Sequence, residues 1–231
     1  MHCYNYNYYY ETTGGLQLEG NMEPDSGHSS RKLTLWLRIW TKPRETIREI
    51  IEKDPNHRFY VLSAIYGFPL LLNFAQSFSL GFRMPVGLIV LLAVIFATFI
   101  GMLGISVTSG LLYLAGRCIQ GKGSYLQVRA SVAWSNVPSV AQIVVWAFLI
   151  SFFGMNAFDH DFAYLNFTQN ELLLVTGLFL LQSIAGIWSF FILLFSLAEV
   201  QKFSAWKALL NIALPVVAIG VVVWGIGFLM K

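Results

Sequence analysis

Charge is the scarcest commodity in this sequence. Only 12% of its 231 residues are Asp, Glu, Lys or Arg, against 56% hydrophobic, and mean hydropathy is +0.62. A water-soluble domain carries about 25% charged residues. Half that figure leaves too little polar surface to cover a globule in water, so lipid has to be the solvent over much of the exterior. Cysteine is almost missing as well. Cys3 and Cys118 form no CxxC pair and no even-numbered framework, which excludes a disulfide scaffold and a thiolate metal site. The four histidines, His2, His28, His57 and His160, all lie outside the apolar runs. With no paired carboxylates at depth either, nothing supports general acid–base or nucleophilic catalysis inside a membrane. No catalytic residue, cofactor-binding residue, metal ligand or nucleic-acid partner is expected.

What is present is long apolar segments. Five of them run near 59–80, 85–116, 131–153, 172–198 and 208–230. A bilayer core of about 30 Å takes about 20 helical residues, and uninterrupted apolar character excludes the alternating pattern of a membrane barrel. The fold class read from this is all-α: a polytopic membrane helical bundle of about five transmembrane helices. The second segment is too long for one upright helix, since roughly 32 residues span about 48 Å. Gly101, Gly104 and Gly110 are places for bending or close approach. Ala97 with Gly101, and Ser106 with Gly110, form small-xxx-small pairs that let backbones meet; packing within the chain is the expected use, a dimer interface the alternative.

Residues 1–30 read as a disordered tail of alternating Tyr and Asn followed by Gly, Ser, Asp and Glu. No apolar h-region marks a secretory signal, and Met22 offers a more ordinary start, so the first 21 residues read as an overcalled beginning. Residues 31–58 form a separate amphipathic region. Leu33, Trp36, Leu37 and Trp40 fall at helical spacing among Arg31, Lys32, Arg38 and Lys42. Pro43 then restarts a helix, with Ile47, Ile50 and Ile51 on one face. Glu45–Arg48 and Glu49–Lys53 are spaced to pair along it. A basic helix with Trp and Leu on its apolar face is expected in the headgroup plane; the alternative is a helix docked on the rest of the protein. The domain division is thus 1–30, 31–58 and 59–231.

Basic residues favour the cytoplasmic side of short loops. With the N-terminus inside, the pre-membrane region contributes eight, the loop after the second span Arg117, Lys122 and Arg129, and the loop after the fourth span Lys202 and Lys207. Only Arg83 and Lys231 fall outside, a split of thirteen to two among the fifteen. The loop between spans three and four carries Asp159, Asp161 and Glu171 instead. An odd number of spans is needed for this partition, so the N-terminus is expected inside and the C-terminus outside.

Gly116 to Ser124 nearly matches the phosphate-binding pattern GxxxxGK[ST], but Gly123 stands where Ser or Thr is required and a membrane helix precedes it in place of a strand. Gly121 and Gly123 are read as a turn after a helix end. Asp159-His160-Asp161 reads as a solvated acidic loop, because a metal site needs several converging ligands. Asn166-Phe167-Thr168 fits a glycosylation sequon on the outside. Within the spans, Asn73, Gln76, Asn136, Gln142 and Gln182 are candidates for interhelical hydrogen bonds. Glu199, at the inner end of span four, is expected to pair with one of Arg117, Lys122, Arg129, Lys202 or Lys207.

Several segments combine into a recognisable pattern: Trp40-Thr41-Lys42-Pro43-Arg44-Glu45-Thr46-Ile47-Arg48 before Asp54-Pro55; Gly116-Arg117 leading to Gly121-Lys122-Gly123-Ser124; Ala133-Trp134-Ser135 with Pro138; and Glu199-Val200-Gln201-Lys202-Phe203-Ser204-Ala205-Trp206-Lys207-Ala208. From about Trp40 to the C-terminus the chain resembles the bacterial branch of the Yip domain family, the Ypt/Rab-interacting membrane proteins. The resemblance implies a five-span helical domain with a cytosolic N-terminus and no known reaction; eukaryotic relatives are associated with Rab-type GTPases and vesicle traffic. The resulting expectation is a non-enzymatic protein of the bacterial cytoplasmic membrane. It would bind anionic headgroups or a protein partner through Arg44, Arg117, Lys122, Arg129, Trp134, Glu199, Lys202 and Trp206 on its cytoplasmic face, with oligomerisation left open. The alternative is a small-solute or ion transporter whose route is lined by Asn73, Gln76, Gln142 and Gln182.

Overall fold

A computed structural model describes residues 35–162 and 165–229; the tail expected over 1–30, and its alternative start at Met22, lie outside them. Every regular element among the described residues is helical. A helix over 35–41 (α1) is followed by α2 (Pro43–Lys53), α3 (Phe59–Ser77), α4 (Val86–Cys118), α5 (Tyr125–Ser135), α6 (Val140–Phe153), α7 (Gln169–Gln201) and α8 (Ala205–Leu229). Five stretches are long and apolar enough to span a bilayer: α3, α4, the composite Tyr125–Phe158, α7 and α8 up to Phe228. The bundle has two distinct ends. At one, Arg48 meets Glu199 and Gln201 meets the turn after α4. At the other, Gln76 on α3 donates to the Ala157 carbonyl at 2.9 Å and Gly81 lies flat against the Met155 backbone. The first carries α1, α2 and nearly all the basic residues, and is called the basic end below.

The tightest seam runs between α3 and α4. A Cβ on Gly67 would fall 1.9 Å from the Ala97 carbonyl oxygen, and one on Gly101 would fall 1.9 Å from that of Ser63. Ser63 and Gly67 on α3 therefore interlock with Ala97 and Gly101 on α4. This is the close backbone approach that small residues allow between membrane helices, where lipid supplies no hydrophobic drive for association. The Ala97–Gly101 pair packs within the chain, as expected. The Ser106–Gly110 pair does not: Gly110 faces open space. Gly104 admits the ring of Tyr66, whose Cε1 would stand 2.9 Å from an added Cβ. None of these glycines breaks α4, which is helical without interruption from Val86 to Cys118.

The third span departs from the expected single run over 131–153. It begins at Tyr125, so Arg129 stands on a helix and not in a loop, and it breaks at Asn136–Ser139. Pro138 cannot donate to the carbonyl four residues back and clashes with it. The Val132 carbonyl, in the last turn before the break, is satisfied by side chains: Ser135 Oγ and Asn136 Nδ2 both donate to it at 2.8 Å. Side chains of this kind are what permit a break at membrane depth.

α1 and α2 are amphipathic, and their apolar face is covered. Ile39 and Ile47 are fully buried and Ile50 nearly so, packed with residues of α5 and α7 such as Trp134 and Leu197. Each buried isoleucine is worth about 2 kcal/mol relative to water. Docking on the bundle's end leaves Leu37 and Trp40 exposed at the level where the spans emerge. α8 behaves differently: beyond Pro215 its large side chains, Val216 through Phe228, are exposed and left to lipid.

Candidate functional site

The basic end is built on two helix stops of the same kind. α4 ends with Gln120 in the left-handed region (φ 68°), Gly121 N donating to the Gly116 carbonyl at 2.7 Å and Gln120 N to that of Arg117 at 3.2 Å. α7 ends with Lys202 at φ 57°, Phe203 N donating to the Ala198 carbonyl at 2.8 Å and Lys202 N to that of Glu199 at 3.4 Å. Both are Schellman motifs, and both use a non-glycine residue where glycine is the usual choice. The nearby glycines serve another purpose. Gln201 is 1% exposed, and its carboxamide is caged by them: an added Cβ would fall 2.3 Å from Nε2 at Gly116, 2.3 Å from Oε1 at Gly121 and 3.2 Å from Oε1 at Gly123. Gly123 N donates to Oε1 and Lys122 N to the Gln201 backbone carbonyl, each at 3.2 Å. The pattern that imitates a phosphate loop is thus the socket of a glutamine from the end of α7.

Glu199 anchors α2 beside this socket. Its side chain is 10% exposed and accepts from Arg48 and from Lys202, both at 2.9 Å. Lys202 was among the expected partners and Arg48 was not. The spacing instead predicts Arg48 with Glu45, which turns to Lys42 at 3.5 Å; Glu199 is 10% exposed and Glu45 60%, and water and salt screen the less exposed pair less. Glu49–Lys53 forms as spaced, at 2.6 Å, and Arg38 from α1 joins the same carboxylate at 3.0 Å. The hydrogen bond from Lys53, with the two positive charges, holds the Glu49 carboxyl below its ordinary range.

Behind this rim lies an aromatic block. Trp134 is 1% exposed, with its ring stacked 6.2 Å from His57 and tilted 5.8 Å from Trp36. Trp134 therefore belongs to the packing under the surface and not to the surface. Arg129 lies 4.3 Å over the Phe59 ring, as expected of a guanidinium on an aromatic face, and donates to Asn56 Oδ1. Arg44 stands 5.5 Å over Phe195 and Arg117 5.9 Å over Tyr113. Of the basic residues here, Arg44, Arg117, Lys122 and Lys207 are exposed and form no ion pair among the described residues. Trp206, at the start of α8, is 80% exposed. The eight residues expected at this face all lie at this one end, six reaching its surface or rim while Trp134 is buried and Arg129 is half-buried.

The four intramembrane residues are not brought together. Gln76 holds the far end of α3 to Ala157, Asn73 lies one turn away on the same helix, and Gln142 and Gln182 lie on α6 and α7; no hydrogen bond joins any two of them. At that far end Asp159, His160 and Asp161 can each place one ligand atom within 4.8 Å of the others. Asp159 Oδ1 accepts from Ser79 Oγ and from Asp161 N, so it holds the loop, while His160 and Asp161 are exposed. Thr168 of the sequon caps α7 reciprocally with Glu171, a structural use of the same residues.

Five apolar spans with a basic end, rimmed by exposed tryptophan and cations, define a polytopic helical membrane protein. Residues 37–227 match the family model for the Yip1 domain, and the chain belongs to that family, which is not a family of enzymes. No curated protein and no solved structure matches the chain.

Proposed function

We propose that this chain is a non-enzymatic membrane protein whose basic end faces the cytosol, holds anionic phospholipid headgroups and presents a docking face for a protein partner. The supporting observation is four exposed cations, Arg44, Arg117, Lys122 and Lys207, without acidic partners, beside the exposed indole of Trp206. Basic residues near an anionic leaflet are worth about 1 kcal/mol each, and tryptophan anchors at the headgroup level. The thirteen-to-two charge split supports a cytosolic N-terminus and an outer C-terminus, and the resemblance noted above supports a bacterial cytoplasmic membrane. On this reading residues 31–58 are a cytoplasmic collar on a 59–231 membrane domain, and α1–α2 are held rigid by Glu199 and the aromatic block, so that the cations form a fixed array.

The test is co-purification from vesicles of neutral phosphatidylcholine mixed with anionic phosphatidylglycerol, with retained lipid identified by native mass spectrometry. Phosphatidylglycerol should be enriched over its bulk fraction, and the combined Arg44→Gln, Arg117→Gln, Lys122→Gln, Lys207→Gln variant should lose that enrichment. Equal retention of both lipids by the unaltered protein overturns the headgroup reading.

A further inference from the structure

A second site lies inside the membrane, independent of the basic end. The break in the third span opens a cavity of about 240 Å³ between α3, α4, the Asn136–Ser139 turn and α7. Its polar lining residues are Tyr66, Thr108, Ser135, Asn136 and Ser189, and Ser135 spends its hydroxyl on the Val132 carbonyl. The hydroxyls of Tyr66, Thr108 and Ser189 make no hydrogen bond among the described residues, and Asn136 uses its Nδ2 on Val132, leaving Oδ1 open. Tyr66 and Thr108 stand seven and ten residues in from Phe59 and Cys118, and Ser189 twelve in from Gln201. α3 has 19 residues, about the thickness of a 30 Å hydrocarbon core at 1.5 Å per residue, so along it Tyr66 lies roughly 10 Å below the basic end. Each unpaired polar group at that depth is costly, yet four converge on one cavity.

The chemistry of the lining restricts the occupant. Among the described residues no Asp, Glu, Lys, Arg or His borders the cavity, so they offer nothing to neutralise an ion or a phosphate, which membrane sites for charged species normally supply. Water alone fits poorly. The volume has room for roughly eight molecules at about 30 Å³ each, and each needs two to four partners, whereas the remaining walls are apolar, Ile105 and Leu193 among them, apart from Ser135, whose hydroxyl is already bonded to Val132. An uncharged head that both donates and accepts, carried on an apolar tail, matches both parts of the lining.

We propose that this cavity binds the hydroxyl-bearing head of a neutral, membrane-dissolved amphiphile of the diacylglycerol type, held by Tyr66, Thr108, Asn136 and Ser189 with its tail directed past Phe190 into lipid. Gly104 is part of the site, because only a residue without a Cβ lets the Tyr66 ring lie across α4. The intramembrane polar groups that matter are thus not the glutamines but three hydroxyls and an amide gathered by the Pro138 break.

The experiment uses the full chain in phosphatidylcholine nanodiscs with a photoactivatable diacylglycerol carrying a diazirine in its acyl chain, and a phosphatidic acid with the same chains as the charged control. Diacylglycerol should label peptides of α4 and α7 that border the cavity, unlabelled diacylglycerol should compete, and phosphatidic acid should label them no more than it labels the outer half of α8. Thr108→Val and Ser189→Ala remove hydroxyls that bond nothing among the described residues, so both should fold, and each should lower site labelling about five- to tenfold. Labelling no stronger than on α8, labelling indifferent to both variants, or equal labelling by the charged lipid would each overturn the assignment; a cavity holding water only gives the first of these.

Discussion

Gly101→Ala is the sharpest test of how this bundle is held together. The added Cβ would fall 1.9 Å from the Ser63 carbonyl oxygen, 2.6 Å from its carbonyl carbon and 3.1 Å from Gly67 N. All three are backbone atoms, so no side chain can rotate aside. Ordinary contact lies near 3.5 Å, so α3 and α4 must separate by about 1.5 Å along their tightest seam. Overpacking a well-filled interface costs about 1–3 kcal/mol, and an obstruction made of backbone belongs at the top of that range, about 3 kcal/mol. On the scale of soluble proteins of this size the melting midpoint should fall by roughly 6–12 °C. Gly110→Ala is the matched control on the same helix, since its Cβ would meet nothing within 4 Å; it should be neutral or gain up to about 1 kcal/mol of helix propensity. Thermal unfolding of both variants in one detergent, followed by size-exclusion chromatography, measures the difference. If Gly101→Ala melted with wild type and only changed the oligomer peak, the glycine would serve a contact between copies and the seam argument would fail.

Three further outcomes follow from the basic end. Gln120→Gly should stabilise by about 1 kcal/mol, because Gln120 holds a left-handed conformation that costs an L-residue roughly that much, and a rise in melting midpoint would register it. Glu199→Gln should destabilise by about 1–2 kcal/mol by leaving Arg48 and Lys202 without their carboxylate; faster proteolysis within residues 35–53 would locate the loss, and unchanged proteolysis would refute the anchoring role. Glu49 has a folded pKa below its ordinary value because of Lys53 and Arg38. Its contribution is therefore fully present above the unfolded carboxyl value of about 4.3 and is lost as pH falls through the lowered folded value. The gap in melting midpoint between wild type and Glu49→Gln should close on acidification below about pH 4, and a gap that widened there would reverse the sign.

The five spans were legible because hydropathy is a one-dimensional property: a run long enough to cross hydrocarbon can be read without knowing its neighbours. The amphipathic pattern of α1 and α2 was legible too, although its apolar face packs on α5 and α7 where the headgroup plane was expected, and so was the Ala97–Gly101 contact, which depends on side chains too small to keep helices apart. The register of partners was not legible. Arg48 and Glu199 are 151 residues apart and Gln201 and Gly123 are 78 apart, so spacing along the chain pointed Arg48 to nearby Glu45. Pro138 was visible, but the cavity its break opens depends on Tyr66, Thr108 and Ser189 arriving from three other helices, each unremarkable alone.

The glycines at the end of α4 serve the turn expected of them and a second purpose besides. Glycine is required wherever backbone must come close to a bulky polar group, and a phosphate cradled by a loop is one such group. The carboxamide of Gln201 is another. It makes the same demand of Gly116, Gly121 and Gly123, with one backbone N–H reaching its oxygen as it would reach a phosphate oxygen. The turn makes a smaller demand: the position in the left-handed region is Gln120, and only at Gly121 would a Cβ also crowd the turn, 2.9 Å from the Gly116 carbonyl oxygen. The near-match and its failure share one cause. Gly123 stands where a metal-binding hydroxyl would be needed because Val200 and Gln201 press against it: a Cβ there would lie 2.9 Å from Val200 Cγ1, 3.0 Å from its carbonyl oxygen and 3.2 Å from Gln201 Oε1, so the end of α7 would have to shift to admit a threonine.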